Sequence, residues 1–145
     1  MTHSIKLNAA VLILLLSTTL MLGQQHGKHE NCSSSSVTRS IELNDSSKSK
    51  TVTLEVSKGT KNFMIGVNSL ISSGSLTMEI FDPKGNKQGN FSVESQMNNQ
   101  GADAKEEVCG QLNRSFSDPM AGDWSVKLKP KKVTGKVSIN YHQLQ

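Results

Sequence analysis

The sequence predicts an all-β protein, an antiparallel β-sandwich of jelly-roll-like form, and three observations carry that prediction. Beyond Val37 apolar residues alternate with polar ones in short runs, the period-two signature of half-buried strands. Turn-forming groups such as Asp82-Pro83-Lys84-Gly85 separate the runs. No stretch has the apolar spacing of an amphipathic helix, since the nearest, Ala102 to Val108, is too short and too charged. About eight strands at this spacing fit one sandwich better than a helical bundle or a barrel enzyme.

The chain opens differently. Lys6 is followed by the apolar run from Ala9 to Leu16, then Ser17-Thr18-Thr19 and Leu20-Met21-Leu22-Gly23. That order of charge, apolar core and small residues is a secretory signal peptide's, so residues 1–23 are assigned to one. Cleavage after Gly23 puts Met21 at the third position back, whereas cleavage after Thr19 puts Ser17 and Thr19 at the two determining positions, and both sites stay open. The apolar core is shorter than the roughly 20 residues of a membrane-spanning helix, and no second apolar run follows. The protein is therefore expected to be secreted or periplasmic, without an integral membrane span. Residues 24–36 are rich in Gln, His, Lys and Ser and cannot bury enough surface to offset their ordering entropy, so they read as a flexible tether. The single sandwich domain is assigned to residues 37–145.

The strands follow in order. Val37, Ile41 and Leu43 form the first run and Val52, Leu54 and Val56 the second; Ser57-Lys58-Gly59-Thr60 turns into Phe63, Ile65 and Val67. Ser72-Ser73-Gly74 punctuates the chain before Leu76, Met78 and Ile80, and the Asp82-Pro83-Lys84-Gly85 turn leads to Phe91 and Val93. Gln96 to Asp103 is the longest internal loop. Val108, Gly110, Leu112 and Phe116 resume the pattern, Asp118-Pro119 breaks it, and Trp124, Val126 and Leu128 restart it. Lys129-Pro130 and Thr134-Gly135 are expected to interrupt pairing before the last run, Val137, Ile139 and Tyr141.

Composition narrows the function. A formal net charge of +4 over 145 residues is weakly basic. Nucleic-acid binders gather Lys and Arg into a stripe interleaved with aromatics. The densest cluster here, Lys127, Lys129, Lys131, Lys132 and Lys136, has only Trp124 and Tyr141 nearby. It reads as a solvated strand face, and no nucleic-acid partner is expected.

Reactive groups are sparse. A Ser-His-Asp nucleophile needs a positioned histidine, but His26 and His29 lie in the tether and His142 close to the C-terminal residue; no catalytic residue is assigned and an enzyme is not expected. Asp82 with Asn86, and Asp118 with Asp123, are oxygen-bearing turn pairs open to Ca2+, which takes six to eight oxygens, yet turn capping explains them more simply. A chain beginning Gln24-Gln25-His26 offers the amine, two backbone nitrogens and an imidazole of a square-planar Cu2+ set, with His29 and Cys32 as further ligands. Against it, an N-terminal glutamine readily cyclises. No cofactor or metal is assigned, and the Ca2+ and Cu2+ alternatives stay open. Cys32 and Cys109 make an even count, which in an oxidising compartment favours a disulfide; the alternative leaves Cys32 in the tether and Cys109 a lone thiol.

A resemblance can be set beside these readings. The block from Gly74 to Asn86, Gly-Ser-Leu-Thr-Met-Glu-Ile-Phe-Asp-Pro-Lys-Gly-Asn, and the later Asn113 to Leu128 segment with Ala121-Gly122-Asp123-Trp124 resemble the bacterial pre-peptidase C-terminal domain and the related convertase P-domain. In those domains one strand ends in an Asp-Pro-x-Gly turn and a later Ala-Gly-x-Trp step opens another. The likeness spans about residues 51–141, and it implies a jelly roll that is a non-catalytic companion of secreted enzymes. A protease domain beside this one is not expected. Independently of the resemblance, Gly122 permits a tight turn before Trp124, whose indole is expected to cap the core while its N–H seeks a carbonyl.

Together these readings favour an exported binding module that docks a protein partner or cell-envelope component. Trp124, Asp118, Asp123, Asn98 and Asn99 are the candidate binding residues, on the loops around Gln96 to Asp103 and Ser117 to Asp123 or on a sheet face. A carbohydrate-binding module is the alternative, although sugar platforms want exposed aromatics and most of Phe63, Phe81, Phe91, Phe116, Trp124 and Tyr141 occupy core-facing positions. A small hydrolase using Asp118, Asp123, Glu106 or Glu107 as acid and base is the weaker one.

Overall fold

In a computed structural model of the protein, which describes residues 33–95 and 107–145, six antiparallel strands and no helix are present among the described residues. They are β1 (Ser34–Ser46), β2 (Lys50–Val56), β3 (Asn62–Phe81), β4 (Lys87–Ser95), β5 (Val108–Ser117) and β6 (Gly122–Leu144). The expected signal peptide, most of the tether and the Gln96 to Asp103 loop lie outside the described residues. β1 begins at Ser34, ahead of the expected boundary at Val37.

The two longest strands organise the fold. β3 and β6 pair along nearly their whole lengths, from Asn62↔Leu144 to Phe81↔Ser125. Over residues 62–71 of β3 and 135–144 of β6 the outer neighbours are β5 and β1. Over residues 74–81 and 122–128 they are β4 and β2. One continuous sheet is thus bent into two layers, β1-β6-β3-β5 and β2-β6-β3-β4, which share β3 and β6. Six strands, two of them used twice, supply the strand segments that the periodicity foretells.

The bend corrects the expected breaks. Ser72-Ser73-Gly74 and Thr134-Gly135 do not end strands; they mark the corner where β3 and β6 pass from one layer to the other, with register shifts between Ile71 and Ser75. Gly74 has φ +77, and a Cβ there would meet the backbone oxygen of Lys132 at 2.3 Å. Only glycine permits both the left-handed backbone and that approach. Pro130 likewise does not break pairing: it is buried within β6 opposite Leu76. The outer neighbour changes there from β2, last paired at Leu128, to β1, paired from Val133, so a missing N–H donor costs little.

Between the layers lies one core. Leu43, Leu54, Phe63, Ile65, Leu76 and Met78 are among its fully buried members, drawn from both layers by strict alternation. Phe63 meets the Trp124 ring edge-on at a centroid distance of 5.3 Å, and Trp124 packs on Phe116 at 4.6 Å. The Asp82-Pro83-Lys84-Gly85 turn forms as read, with Gly85 N–H donating to the Asp82 carbonyl at 2.9 Å and Gly85 at φ +82.

Candidate binding face

Alternation along the strands leaves each layer an outer face, and the two differ in chemistry. On the β2-β6-β3-β4 face, Lys127, Lys129 and Lys131 project from β6 beside Glu79 of β3. Glu79 is 5% exposed, held between Lys129 Nζ at 2.6 Å and Lys87 Nζ at 2.5 Å. The lysine cluster of the sequence is therefore divided. Lys132 sits at the corner with φ +50, and Lys136 belongs to the other layer, opposite Glu42.

The β1-β6-β3-β5 face is almost uncharged. Register places Ser36, His142, Met64 and Ser115 side by side in one row. The next row is Thr38, Asn140, Gly66 and Asn113, and the third is Ser40, Ser138, Asn68 and Gln111. Beyond these, Glu42 and Lys136 oppose one another in the row that ends in Leu70 and Cys109. Among these positions that pair carries the only formal charges. Protein surfaces ordinarily mix charges of both signs at about a quarter to a third of positions.

A groove of about 430 Å³ opens on this face over Gly66. Its lining includes Met64, Asn113, Ser115, Asn140 and His142, together with one charged residue, Arg114. The carboxamides of Asn140 and Asn113 lean into the space that a Cβ on Gly66 would fill, with oxygens 2.4 and 3.0 Å from that point. Neither carboxamide hydrogen-bonds to another described residue, so the donors and acceptors of both are open to an outside partner. Met64, 45% exposed, supplies an apolar wall. The groove holds no carboxylate, and no group of three His, Cys, Asp or Glu that could hold a metal ion occurs among the described residues.

The residues singled out by sequence do not assemble there. Trp124 is 3% exposed and its Nε1 donates to the Met120 carbonyl at 2.8 Å. It caps the core as its sequence context suggests, but it offers no binding surface. Asp118 is exposed at φ +47, 3.6 Å from Lys61 Nζ, and Asp123 stands exposed on β6 opposite Glu55. Asn98 and Asn99, like His26 and His29, lie outside the described residues, as do Glu106 and the Gln24-Gln25-His26 set. Cys109 is an exposed free thiol on β5 and Cys32 lies outside the described residues; no disulfide is present among the described residues. Asp82 is spoken for by the turn: Oδ1 accepts Lys84 N–H and Asn86 N–H, and Oδ2 accepts Asn86 Nδ2 and Gln88 Nε2. His142, which the sequence places close to the C-terminal residue, lines the groove.

No helix among the described residues is long and apolar enough to cross a membrane. No protein-family model matches the sequence, and no curated protein matches it. Among solved structures, dimeric latent PorU from Porphyromonas gingivalis matches with a TM-score of 0.55 at 9% identity, over 79% of this chain and 13% of that one. The lipase BlEst2 from Bacillus licheniformis in its propeptide form gives 0.49 at 21% identity, over 95% of this chain and 27% of the lipase. The carbohydrate-binding module CBM6cm-2 of Cellvibrio mixtus lichenase 5A, solved with cellotriose, gives 0.35 at 13% identity, over 81% and 90%. The chain spans well under a third of the first two proteins, and at such identities the PorU match establishes one thing about this protein, its β-sandwich fold.

Proposed function

We propose that the protein is an exported, non-catalytic β-sandwich module that docks a protein partner or cell-envelope component through the uncharged outer face of β1-β6-β3-β5. The observation that carries this reading is the groove over Gly66, where the Asn113 and Asn140 carboxamides, without a hydrogen-bond partner among the described residues, converge on a sheet face whose formal charges are few. Binding sites combine a concave surface with a few directed polar groups in this way. The resemblance to pre-peptidase C-terminal domains, non-catalytic companions of secreted enzymes, points in the same direction, and the signal-peptide pattern supplies the address.

The test compares retention of envelope material by the tagged protein and by two variants. Asn68→Lys with Ser138→Lys charges the uncharged face; Thr77→Lys with Ser92→Lys charges the opposite one. Retention lost in the first variant alone is the expected result. Equal retention by all three proteins refutes the docking face.

A further inference from the structure

We infer that the groove over Gly66 binds an uncharged, hydroxyl-rich chain, a neutral oligosaccharide strand lying across β6, β3 and β5. The inference rests on the docking face proposed above and names the chemistry of its ligand.

Gly66 is the first argument. It sits in β3 between two neighbours, opposite Asn113 of β5 and Asn140 of β6. Glycine weakens the interior of a strand, because it loses more conformational freedom than any other residue and packs no side chain. At Gly74 the backbone requires it, but Gly66 is not among the residues with positive φ, and a Cβ there would press only on the outer atoms of two flexible side chains. Nothing in the fold demands glycine at this point. What its absent side chain provides is room for the Asn140 and Asn113 carboxamides to draw together over the strand, and strand glycines recur where a ligand approaches closely.

The chemistry of the lining is the second. A carboxamide presents a donor and an acceptor side by side, matched to adjacent hydroxyls, and Asn113 and Asn140 present two such pairs beside the hydroxyls of Ser36 and Ser115. Met64 gives a polarisable apolar wall for the C–H face of a sugar ring. An ionic ligand would call for complementary charge; the rows through the groove hold none, and Arg114, the one Lys, Arg, Asp or Glu in the lining, lays its side chain beside Gly89 of β4. The volume falls within the roughly 300–1,000 Å³ of small-molecule sites, enough for a short stretch of chain. Since Phe63, Phe116, Trp124 and Tyr141 pack on one another in the core, recognition here is by directed hydrogen bonds without ring stacking.

The experiment titrates the protein with neutral α- and β-glucan oligomers and N-acetylglucosamine oligomers, with polygalacturonate as the anionic control and an extended uncharged peptide as the competing class. Binding is measured by calorimetry in every variant and, in the wild type, located from the side-chain amide signals of Asn113 and Asn140. Saturable binding of at least one neutral oligomer, unaffected by salt and at least tenfold weaker in Gly66→Val, is expected. A β-branched residue suits a strand, so Gly66→Val should fold; the double variant Asn113→Ala, Asn140→Ala serves if it does not. Binding only of polygalacturonate or of the peptide, or glycan binding undiminished in both variants, overturns the inference. If no oligomer binds while Gly66→Val loses retention of envelope material, the ligand class is wrong and the docking face stands. If that retention is also unchanged, both readings fall.

Discussion

Glu79 Oε2 lies 2.6 Å from Lys129 Nζ, and the opposite carboxylate oxygen lies 2.5 Å from Lys87 Nζ. Those contacts join the second and third lysine-bearing strands, β4 and β6, across β3. The Lys129 ammonium first, and then that of Lys87, holds the Glu79 carboxyl below the ordinary glutamate value near 4.5. A lowered carboxyl contributes stability that is present above its unfolded-state value and lost as the pH falls through its folded-state value. Acid titration of the wild type should therefore show a fall in Tm below about pH 4.5 that Glu79→Gln largely removes. Because both ammonium groups are about half exposed, the substitution should cost only about 1 kcal/mol at pH 7. Calorimetry across pH 3–7 measures both effects.

Gln143 ties the end of β6 to the turn after β2. Its Oε1 accepts Ser57 N–H at 3.0 Å and Thr60 Oγ1 at 3.2 Å, and its Nε2 donates to the Glu55 carbonyl at 2.7 Å. Gln143→Ala strands a buried donor and acceptor together and should cost about 1–3 kcal/mol. Faster amide exchange at Ser57 than at residues in the middle of β3 is the local signature to measure.

At the corner, Gly74→Ala should cost more than about 2 kcal/mol, because Ala must take a left-handed backbone and its methyl meets two carbonyl oxygens. Gly66→Ala displaces only two exposed carboxamides. The contrast is read directly from the two melting temperatures, and near-equal values would show that the corner tolerates a side chain.

Added Ca2+ or chelator should leave Tm unchanged. Each Asp82 oxygen already accepts two hydrogen bonds, and the donated bonds, Asn86's side-chain amide above all, hold the carboxyl below its ordinary value. Asp82→Ala should lower Tm whether or not Ca2+ is present. A Ca2+-dependent rise in Tm that Asp82→Ala abolishes would assign this turn a metal.

Local signals were legible wherever one stretch of chain decides the outcome. Asp82-Pro83-Lys84-Gly85 forms its turn from its own side chains, and Trp124 finds its carbonyl four residues back at Met120. The corners misled because Ser72-Ser73-Gly74 has the same chemistry at a loop and at a bend in a continuous strand; which one forms depends on whether β6 follows β3 round. The groove was harder still. Gly66, Asn113 and Asn140 meet only through the pairing of β5 and β6 on either side of β3, and within its own run Gly66 reads as a spacer between Ile65 and Val67. One clue was present: apart from Glu42 and Lys136, the outward positions of four separate runs carry no charged residue.

The two strands that run through both layers also limit how this molecule can move. Among the described residues, neither layer can slide or tilt over the other without unpairing β3 from β6. Such a body transmits force as one piece. A ligand on the proposed docking face would be carried at a fixed orientation, in the manner of a coupling rather than a jaw.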